Sequence, residues 1–269
     1  MDKRNENMFE KIIYEKKGEV AWITFNDEKK FNAMSMKMQE ELIDVLKRVE
    51  VDDQIKCVVI TGAGEKAFSS GGDINSFDLF FDKVKSYNFV RNYFYQVQRL
   101  ITNTEKIFIA AINGVCFAGG LEVALCCDFR IASENARTGV LEINLGLIPG
   151  AGGTARLTKL LPKSKAKELL MTGDIINAQE AYRISLFDKV VSPEKLHEAV
   201  NEFTNKICSK PFLAIRRIKT GVDRIAETPG EEAALEIERG IISHLAGSED
   251  NKEGVNAFLE KRPAIFKGR

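Results

Sequence analysis

Histidine is nearly absent from this 269-residue sequence, which contains only His197 and His244. Both lie in polar stretches with a helical pattern, and a zinc site or a Ser-His-Asp triad would have to use one of them. The GxSxG segment that presents the serine of many hydrolases is also missing. The sequence therefore gives no support to a zinc enzyme or a serine hydrolase.

An excess of charge of either sign is absent too. Lys+Arg and Asp+Glu both number 39, so the formal net charge is zero. This balance predicts no long-range attraction to nucleic acid or to an anionic membrane, although it allows a local basic pocket. The stretch from Ile107 to Cys127 is long enough for a membrane span, but Asn113, Glu122 and three glycines argue against one.

Targeting and disulfide signals are missing as well. The first residues, MDKRNENMFEKII, carry charge without an apolar segment, so we expect no signal peptide. Five cysteines without a CxxC spacing indicate buried free thiols of a cytoplasmic protein, and neither a disulfide framework nor a metal site. These cysteines are Cys57, Cys116, Cys126, Cys127 and Cys208.

Nucleotide-binding loops are poorly supported. GAGEKA at 62–67 and GAGGTA at 150–155 both fit the loose dinucleotide pattern G-x-G-x-x-A. A true fingerprint leads directly from a strand into a helix. The first segment instead runs into the loop FSSGGD, and the second follows a proline. A Walker phosphate loop is absent, so we expect no nucleotide cofactor.

Strand and helix patterns alternate up to about residue 195, which predicts an α/β fold with mostly parallel strands. From about residue 154 the chain reads as mainly helical, with one strand near LFDKVV. Ser35 can cap the helix SMKMQEELIDVLKRVE, and a helical region is predicted over 86–103. The other predicted elements are two strands around a Lys17-Gly18 turn, the buried strands IKCVVITG, KIFIAAING and DFRIAS, and a helix from Gly119-Gly120 through Cys127.

Two glycine pairs, Gly71-Gly72 and Gly119-Gly120, each follow a buried strand. Glycine has no side chain, so a backbone N–H group there can point at a ligand without obstruction. If the two strands are neighbours, two such N–H groups could converge on one oxygen atom, as in an oxyanion hole. Spacing alone leaves open the alternative of two tight turns without a ligand.

Glu122 and Glu142 lie in unusually apolar surroundings. Glutamate is rarely buried without a partner, so a carboxylate between GGL and VALCC indicates a function. The alternative for Glu122 is a buried capping carboxylate. For Glu142 it is an ordinary exposed residue of a helix.

Several segments resemble the enoyl-CoA hydratase (crotonase) superfamily, in the right order over essentially the whole chain. They include AFSSGGDI, AAINGVCFAGGLEVALCCDFRIAS, LEINLGLIPGAGGTARL and NAFLEKRPAIFKG. The resemblance implies a crotonase-like spiral of repeated ββα units with a helical C-terminal trimerisation region. Residues 1–195 would form the core with the acyl-CoA site, and residues 196–269 the oligomerisation region of a homotrimer or a dimer of trimers.

The resemblance also implies the ligand and the site. The ligand would be an acyl-CoA thioester, with coenzyme A as part of the substrate, no separate cofactor and no metal. The N–H groups of Gly72 and Gly119 would form the oxyanion hole, and Glu122 and Glu142 would be catalytic. The residues that would bind coenzyme A are Ala33, Lys66, Ser70, Gly71, Asp73, Ile74 and Lys261.

Retention of both glutamates favours an enoyl-CoA hydratase. The alternatives are a Δ3,Δ2-enoyl-CoA isomerase, a cyclic dienoyl-CoA hydratase, a methylglutaconyl-CoA hydratase, or a non-catalytic member that binds RNA or protein. Thr138, Val140 and Leu141 depart from the common hydratase sequence, which could alter the acyl pocket wall. The aromatic region from Ile74 to Gln98 could line a pocket for a bulky acyl group, or it could be helix packing.

Overall fold

The computed structural model describes residues 9–269, apart from the side chain of Ile74. These residues form two compact units. The first contains residues 9–104 and 108–200, and the second contains residues 105–107 and 201–269. The division at residue 195 into a core and an oligomerisation region stays a prediction.

Within residues 9–269, ten strands lie in two sheets. They are β1 (Ile12–Lys17), β2 (Val20–Phe25), β3 (Cys57–Gly62), β4 (Ala67–Ser69), β5 (Ile107–Ile112), β6 (Val115–Phe117), β7 (Phe129–Ser133), β8 (Arg137–Gly139), β9 (Ile176–Asn177) and β10 (Lys189–Val191). The larger sheet has the order β1-β2-β3-β5-β7-β10. β1 and β2 form the predicted hairpin, whereas β2 with β3, β5 with β7 and β7 with β10 pair in parallel.

Complete burial explains why β3 and β5 were easy to predict. Every residue of both strands is buried, and parallel strands covered on both faces read as continuous apolar runs. The predicted α/β class with mostly parallel strands is therefore confirmed.

The smaller sheet has the order β4-β6-β8-β9 and was not predicted. Its strands are only two or three residues long, which is too short for a period-2 pattern to stand out. The segment interpreted as loop after Gly62 in fact contains β4. β4 pairs in parallel with β6, and this pairing places the ends of the two glycine loops side by side.

Eleven α-helices are described. They are α1 (Met36–Val51), α2 (Lys83–Phe89), α3 (Tyr95–Thr102), α4 (Gly119–Ala124), α5 (Gly153–Leu160), α6 (Lys163–Thr172), α7 (Ala178–Arg183), α8 (Leu196–Cys208), α9 (Phe212–Glu227), α10 (Glu231–Leu245) and α11 (Glu249–Leu259). As predicted, the Ser35 hydroxyl caps α1 by accepting a hydrogen bond from the N–H of Met38. The apolar side chains on one face of α1, which include Leu42 and Leu46, are buried.

Two helical boundaries differ from the sequence prediction. The helical region predicted from residue 86 begins earlier, with a 3-10 helix over Ile74–Phe81, and one π-helical turn over Val90–Phe94 joins α2 to α3. Helix α4 ends at Ala124 and not at Cys127. The N–H of Cys126 donates to Val123 and that of Cys127 to Ala124, so the chain tightens into i→i+3 turns.

The second unit is helical, as predicted for the C-terminal part. Glu105 pairs with Arg216 and Arg217 of α9. The buried carboxylate of Asp250 accepts hydrogen bonds from the N–H groups of Lys267 and Gly268, which secures the C-terminal segment. Several apolar side chains of α9 and α10 are exposed, namely Ile218, Val222, Leu235 and Ile242.

All five cysteines lie within the described residues; none of them forms a disulfide, and four are buried. Across residues 9–269, each helix is too short or too polar to cross a membrane. The apolar stretch from Ile107 to Cys127 forms β5, β6 and α4 instead of one long helix. No group of three or more His, Cys, Asp or Glu side chains in this range could hold a metal ion.

Candidate active site

The two glycine loops predicted to form an oxyanion hole are in contact. A Cβ atom placed on Gly71 would lie 2.9 Å from the Cβ of Ala118 and 3.3 Å from the backbone nitrogen of Gly119. A Cβ atom placed on Gly119 would lie 3.6 Å from the backbone nitrogen of Gly72. Gly71 also has φ +100°, which disfavours any side chain there. The close approach of the loops explains why glycine occupies these positions.

Backbone hydrogen bonds hold both loops in place without using the N–H groups of Gly72 and Gly119, the two predicted oxyanion donors. The N–H of Ser70 donates to Phe31, and the N–H of Ala118 donates to Gly139. Within the described part of the chain, the N–H groups of Gly72 and Gly119 have no acceptor. The structure thus brings together two backbone donors that could bind one oxygen.

Ala118 is a part of this geometry that the sequence did not reveal. It has φ 47° and ψ −123°, a conformation that costs a residue with a side chain about 1–3 kcal/mol. Its carbonyl oxygen accepts the N–H of Glu122, so the strained residue is the N-cap of α4 and directly precedes Gly119. Alanine gives no sequence signal for a positive φ.

Glu122 is buried, with 3% of its surface exposed. Its Oε1 atom accepts hydrogen bonds from the N–H groups of Ala151 and Gly153, both at 2.8 Å. The segment GAGG at 150–153 is therefore a clamp for this carboxylate. The structure agrees with the prediction of a buried carboxylate at position 122 and shows the backbone donors that stabilise it.

Burial raises the pKa of Glu122 to about 7, because the charged form loses its hydration. The hydrogen bond from Gly153 opposes this rise, and the negative charge of Glu142 adds to it. The hydrogen bond from Ala151 and the positive charge of Arg156 lower the pKa. The charge of Glu142 is therefore close enough to influence the ionisation of Glu122.

Glu142 lies at the start of a 3-10 helix over Glu142–Leu145 and is half-buried, so it is not an ordinary exposed residue. Burial raises its pKa. Its Oε2 atom is buried and has no hydrogen-bond partner among residues 9–269. Buried polar atoms are rarely left unpaired, so this oxygen is a candidate for contact with a substrate or a water molecule.

Four of the predicted coenzyme A residues, namely Ala33, Ser70, Gly71 and Asp73, belong to one group of neighbouring loops. The N–H of Met34 donates to Gly71 at 2.7 Å, and the Ser70 hydroxyl donates to the carbonyl oxygen of Lys30 at 3.4 Å. The carboxylate of Asp73 forms an ion pair of 3.0 Å with Lys30.

The other three predicted residues are placed differently. Lys66 is exposed just before β4. Lys261 is an exposed residue of the second unit. The side chain of Ile74 lies outside the described part of the structure.

Sequence reasoning missed Lys30 and Asn32. Lys30 is a half-exposed cation next to Asp73. It directly precedes the segment FNAMS at 31–35, which contains the predicted coenzyme A residue Ala33, and this position was the available signal. Asn32 is fully buried with φ 54°. Its Nδ2 atom donates to the carbonyl oxygens of Ala63 and Ala67, so it fixes the loop that carries Ala33.

The aromatic region contains both packing and site-facing rings. Phe77, Phe80, Phe89 and Phe94 form successive edge-to-face contacts, with ring centroids 6.4, 5.9 and 5.7 Å apart. The two end rings lie against the glycine loops. A Cβ on Gly72 would be 3.7 Å from Phe77, and one on Gly119 would be 3.1 Å from Phe94.

The residues that depart from the common hydratase sequence have mainly structural contacts. Thr138 and Val140 are fully buried, and the Thr138 hydroxyl donates to the carbonyl oxygen of Cys116. Leu141 is half-buried. Thr138 therefore contributes to the smaller sheet, where its hydroxyl links β8 to β6.

Comparison with known proteins agrees with this geometry. Residues 15–269 match the family model described as enoyl-CoA hydratase/isomerase. A crotonyl-CoA hydratase of Syntrophomonas wolfei is 41% identical over 259 residues, which cover 96% of this chain and 98% of that protein. A short-chain-enoyl-CoA hydratase of Clostridium acetobutylicum is 38% identical over 252 residues, which cover 93% and 95%.

Among solved structures, an enoyl-CoA hydratase from Bacillus anthracis matches with a TM-score of 0.91 at 34% identity. The match covers 97% of this chain and all of that one. The fold is therefore the crotonase fold of mixed α/β sheets with C-terminal helices, as predicted. The chain belongs to the enoyl-CoA hydratase/isomerase family.

Proposed function

We propose that the protein is an enoyl-CoA hydratase, a hydro-lyase that adds water across the α,β double bond of an enoyl-CoA thioester. The relatives named as crotonyl-CoA and enoyl-CoA hydratases support this reaction. The observation that carries the proposal is the contact between the Gly72 and Gly119 loops together with the electrostatic coupling of Glu122 and Glu142.

The N–H groups of Gly72 and Gly119 bind the thioester oxygen. Addition of water at Cβ moves the π electrons of the double bond toward this oxygen and gives an enolate-like transition state. Two fixed donors stabilise the developing negative charge, and loss of one such donor typically costs about 10²–10³ in rate. The preformed loops require little rearrangement when the charge develops.

The two glutamates divide the proton transfers between them. Glu122, in its ionised form, holds the water and takes its proton as the new C–O bond forms at Cβ. Glu142 holds the same water and donates a proton to Cα. A Glu122 pKa of about 7 leaves both protonation states accessible at neutral pH, which suits a general base. Repulsion between two carboxylates favours a state in which Glu122 and Glu142 together carry one proton.

The coenzyme A part of the substrate binds along the loops that carry Ala33, Ser70, Gly71 and Asp73, with Ile74 next in the chain. Lys30 and Lys66 are candidates for contact with its phosphates, because cations bind phosphate oxygens well. Lys261, in the second unit, stays a candidate from the resemblance alone. The reaction needs no cofactor apart from coenzyme A itself and no metal.

The acyl group is short. The rings of Phe77 and Phe94 lie next to Gly72 and Gly119, the glycines proposed to hold the thioester oxygen, and this supports a small acyl group. The names of the relatives, crotonyl-CoA hydratase and short-chain-enoyl-CoA hydratase, favour the same substrate class.

The direct test is loss of the conjugated enoyl-thioester absorbance with a series of enoyl-CoA substrates of increasing chain length. We expect the highest kcat/KM for crotonyl-CoA. Absence of hydration for every member of the series would contradict the proposed function. Efficient hydration of only long or cyclic substrates would retain the reaction and contradict the short acyl group.

The assembly is a homotrimer or a dimer of trimers that works in the cytoplasm. Exposed apolar side chains on α9 and α10, such as Val222 and Ile242, support association because burial of apolar surface drives it. Light scattering should give a mass of three or six chains of 30.1 kDa. A stable monomer would contradict this assembly.

A further inference from the structure

The loop that clamps Glu122 depends on glycine at position 152. Gly152 has φ +90°, in the left-handed region, and lies between the two residues whose N–H groups hold Oε1. A small change in this backbone would move both donors at once. Whatever fixes Gly152 therefore also fixes the carboxylate of Glu122.

Arg156 and Gln98 occupy the space on one side of Gly152. A Cβ atom placed on Gly152 would overlap Nη1 of Arg156 and lie 2.9 Å from Oε1 of Gln98. Nη1 of Arg156 donates to Oε1 of Gln98 at 3.1 Å, and Gln98 is itself buried. The guanidinium group of Arg156 is thus bound by Gln98 of α3 and packs directly against the loop that holds Glu122.

The charged and titratable groups around Glu122 come from three elements. They are Glu142 on the 3-10 helix, Cys126 after α4 and Arg156 on α5. Lys159, the other cation of α5, is exposed. β4 and β6, which also contact α4, contain no charged residue. Arg156 therefore supplies the positive charge that opposes the effects of burial and of Glu142 on the carboxylate.

We infer that Arg156, anchored by Gln98, is a positioning residue for the proposed base Glu122: its guanidinium fixes the Gly152 turn and supplies the positive charge that favours the carboxylate. The inference rests on the proposed function. It assigns Arg156 no contact with the substrate. Its action passes through the clamp loop and through the electrostatic field at Glu122.

Arg156→Gln tests the inference, with Lys159→Gln on the same helix as the matched control for loss of a cation. The readout is the pH dependence of kcat for crotonyl-CoA hydration. We expect the acid limb of the Arg156→Gln profile to move to higher pH by about 0.5–1 pH unit, because the ionised form of Glu122 loses a favourable charge. Arg156→Lys should keep the limb near its original pH, and Lys159→Gln should resemble the wild type.

A uniform loss of rate at every pH, with an unmoved limb, would overturn the inference, as would an equal shift in Arg156→Lys and Arg156→Gln. If Arg156→Gln does not fold, Gln98→Leu carries the test. Gln98→Leu removes the hydrogen bond that holds the Arg156 guanidinium, so the acid limb should again move to higher pH. An unchanged acid limb would overturn the inference.

A second readout does not need turnover. Infrared difference spectroscopy of the carboxyl band, with Glu122→Gln as the reference, follows the ionisation of Glu122 directly. The midpoint should rise in Arg156→Gln, and an unchanged midpoint would overturn the inference. A wild-type protein that shows no hydration at all would refute the proposed function, while this titration would still report on Arg156.

Discussion

The Oε1 atom of Glu122 lies 2.8 Å from the backbone nitrogen of Gly153, and a Cβ atom on that glycine would lie 2.9 Å from the same oxygen. The residue that donates the hydrogen bond can therefore carry no side chain without displacing its acceptor. This relationship links the glycine-rich segment at 150–153 to the catalytic role proposed for the carboxylate.

Gly153→Ala should lower kcat more than it lowers stability. The added methyl would also lie 2.7 Å from the Cβ of Pro149, so the carboxylate or the loop must move. We expect a fall in kcat of about tenfold or more, since small displacements of a catalytic group are costly. Steady-state kinetics and a melting curve check this. Gly240→Ala in α10, where φ is not positive either and a Cβ would meet nothing within 4 Å, is the control for glycine replacement. Unchanged kcat in a folded Gly153→Ala protein would contradict the expectation.

Gly119→Pro removes one proposed oxyanion donor. Proline is accepted in the first turn of a helix, where the N–H has no intrahelical partner, and Gly119 is the first residue of α4. Loss of this N–H should therefore break no hydrogen bond of the helix, although the ring of Phe94, 3.1 Å from a Cβ at this position, must shift. The rate should fall about 10²–10³-fold. The check is kcat beside a circular dichroism spectrum. A folded variant that keeps the full rate would remove Gly119 from the oxyanion hole.

The raised pKa of Glu122 also predicts how stability depends on pH. Because the folded-state pKa of about 7 lies above the ordinary value of 4.5, the native state binds the extra proton. The corresponding stabilisation is present below about pH 4.5 and is lost as the pH rises through 7. Relative to Glu122→Gln, the wild-type free energy of unfolding should fall by about 3 kcal/mol across this range.

Denaturant unfolding of both proteins between pH 5 and pH 8 measures this difference. The side-chain oxygen of the glutamine in Glu122→Gln can still accept both backbone hydrogen bonds, so the comparison isolates the charge. A difference that does not change with pH, or that changes in favour of the wild type at high pH, would contradict a raised pKa.

The sequence predicted the parts of the site that depend on residue type. Glycine pairs after buried strands and a glutamate in an apolar run are unusual choices, so they indicated the two loops and the buried carboxylate. The strands β3 and β5 could also be predicted from the sequence, because their complete burial leaves a continuous apolar run.

Other features could not be predicted because they depend on tertiary contacts between distant segments. The strained φ of Ala118 occurs where its side chain lies against Gly71, in a loop far away in the sequence. The hydrogen bond between Gln98 and Arg156 joins α3 to α5. Glutamine and arginine are both common residues of helices, so neither gives a signal in the sequence. The strands of the smaller sheet are too short to leave a period in the sequence.

The most direct test of the proposed mechanism changes Glu122→Gln and Glu142→Gln singly, which keeps shape and removes charge. A hydratase needs one group for the water and one for the Cα proton, so each variant should lose at least about 10²-fold in hydration of crotonyl-CoA. An isomerase moves one proton with a single base, so conversion of a 3-enoyl-CoA is measured in parallel. Loss of hydration in both variants is the predicted result. Substantial hydration in Glu122→Gln would contradict the account and remove Glu122 from the water site.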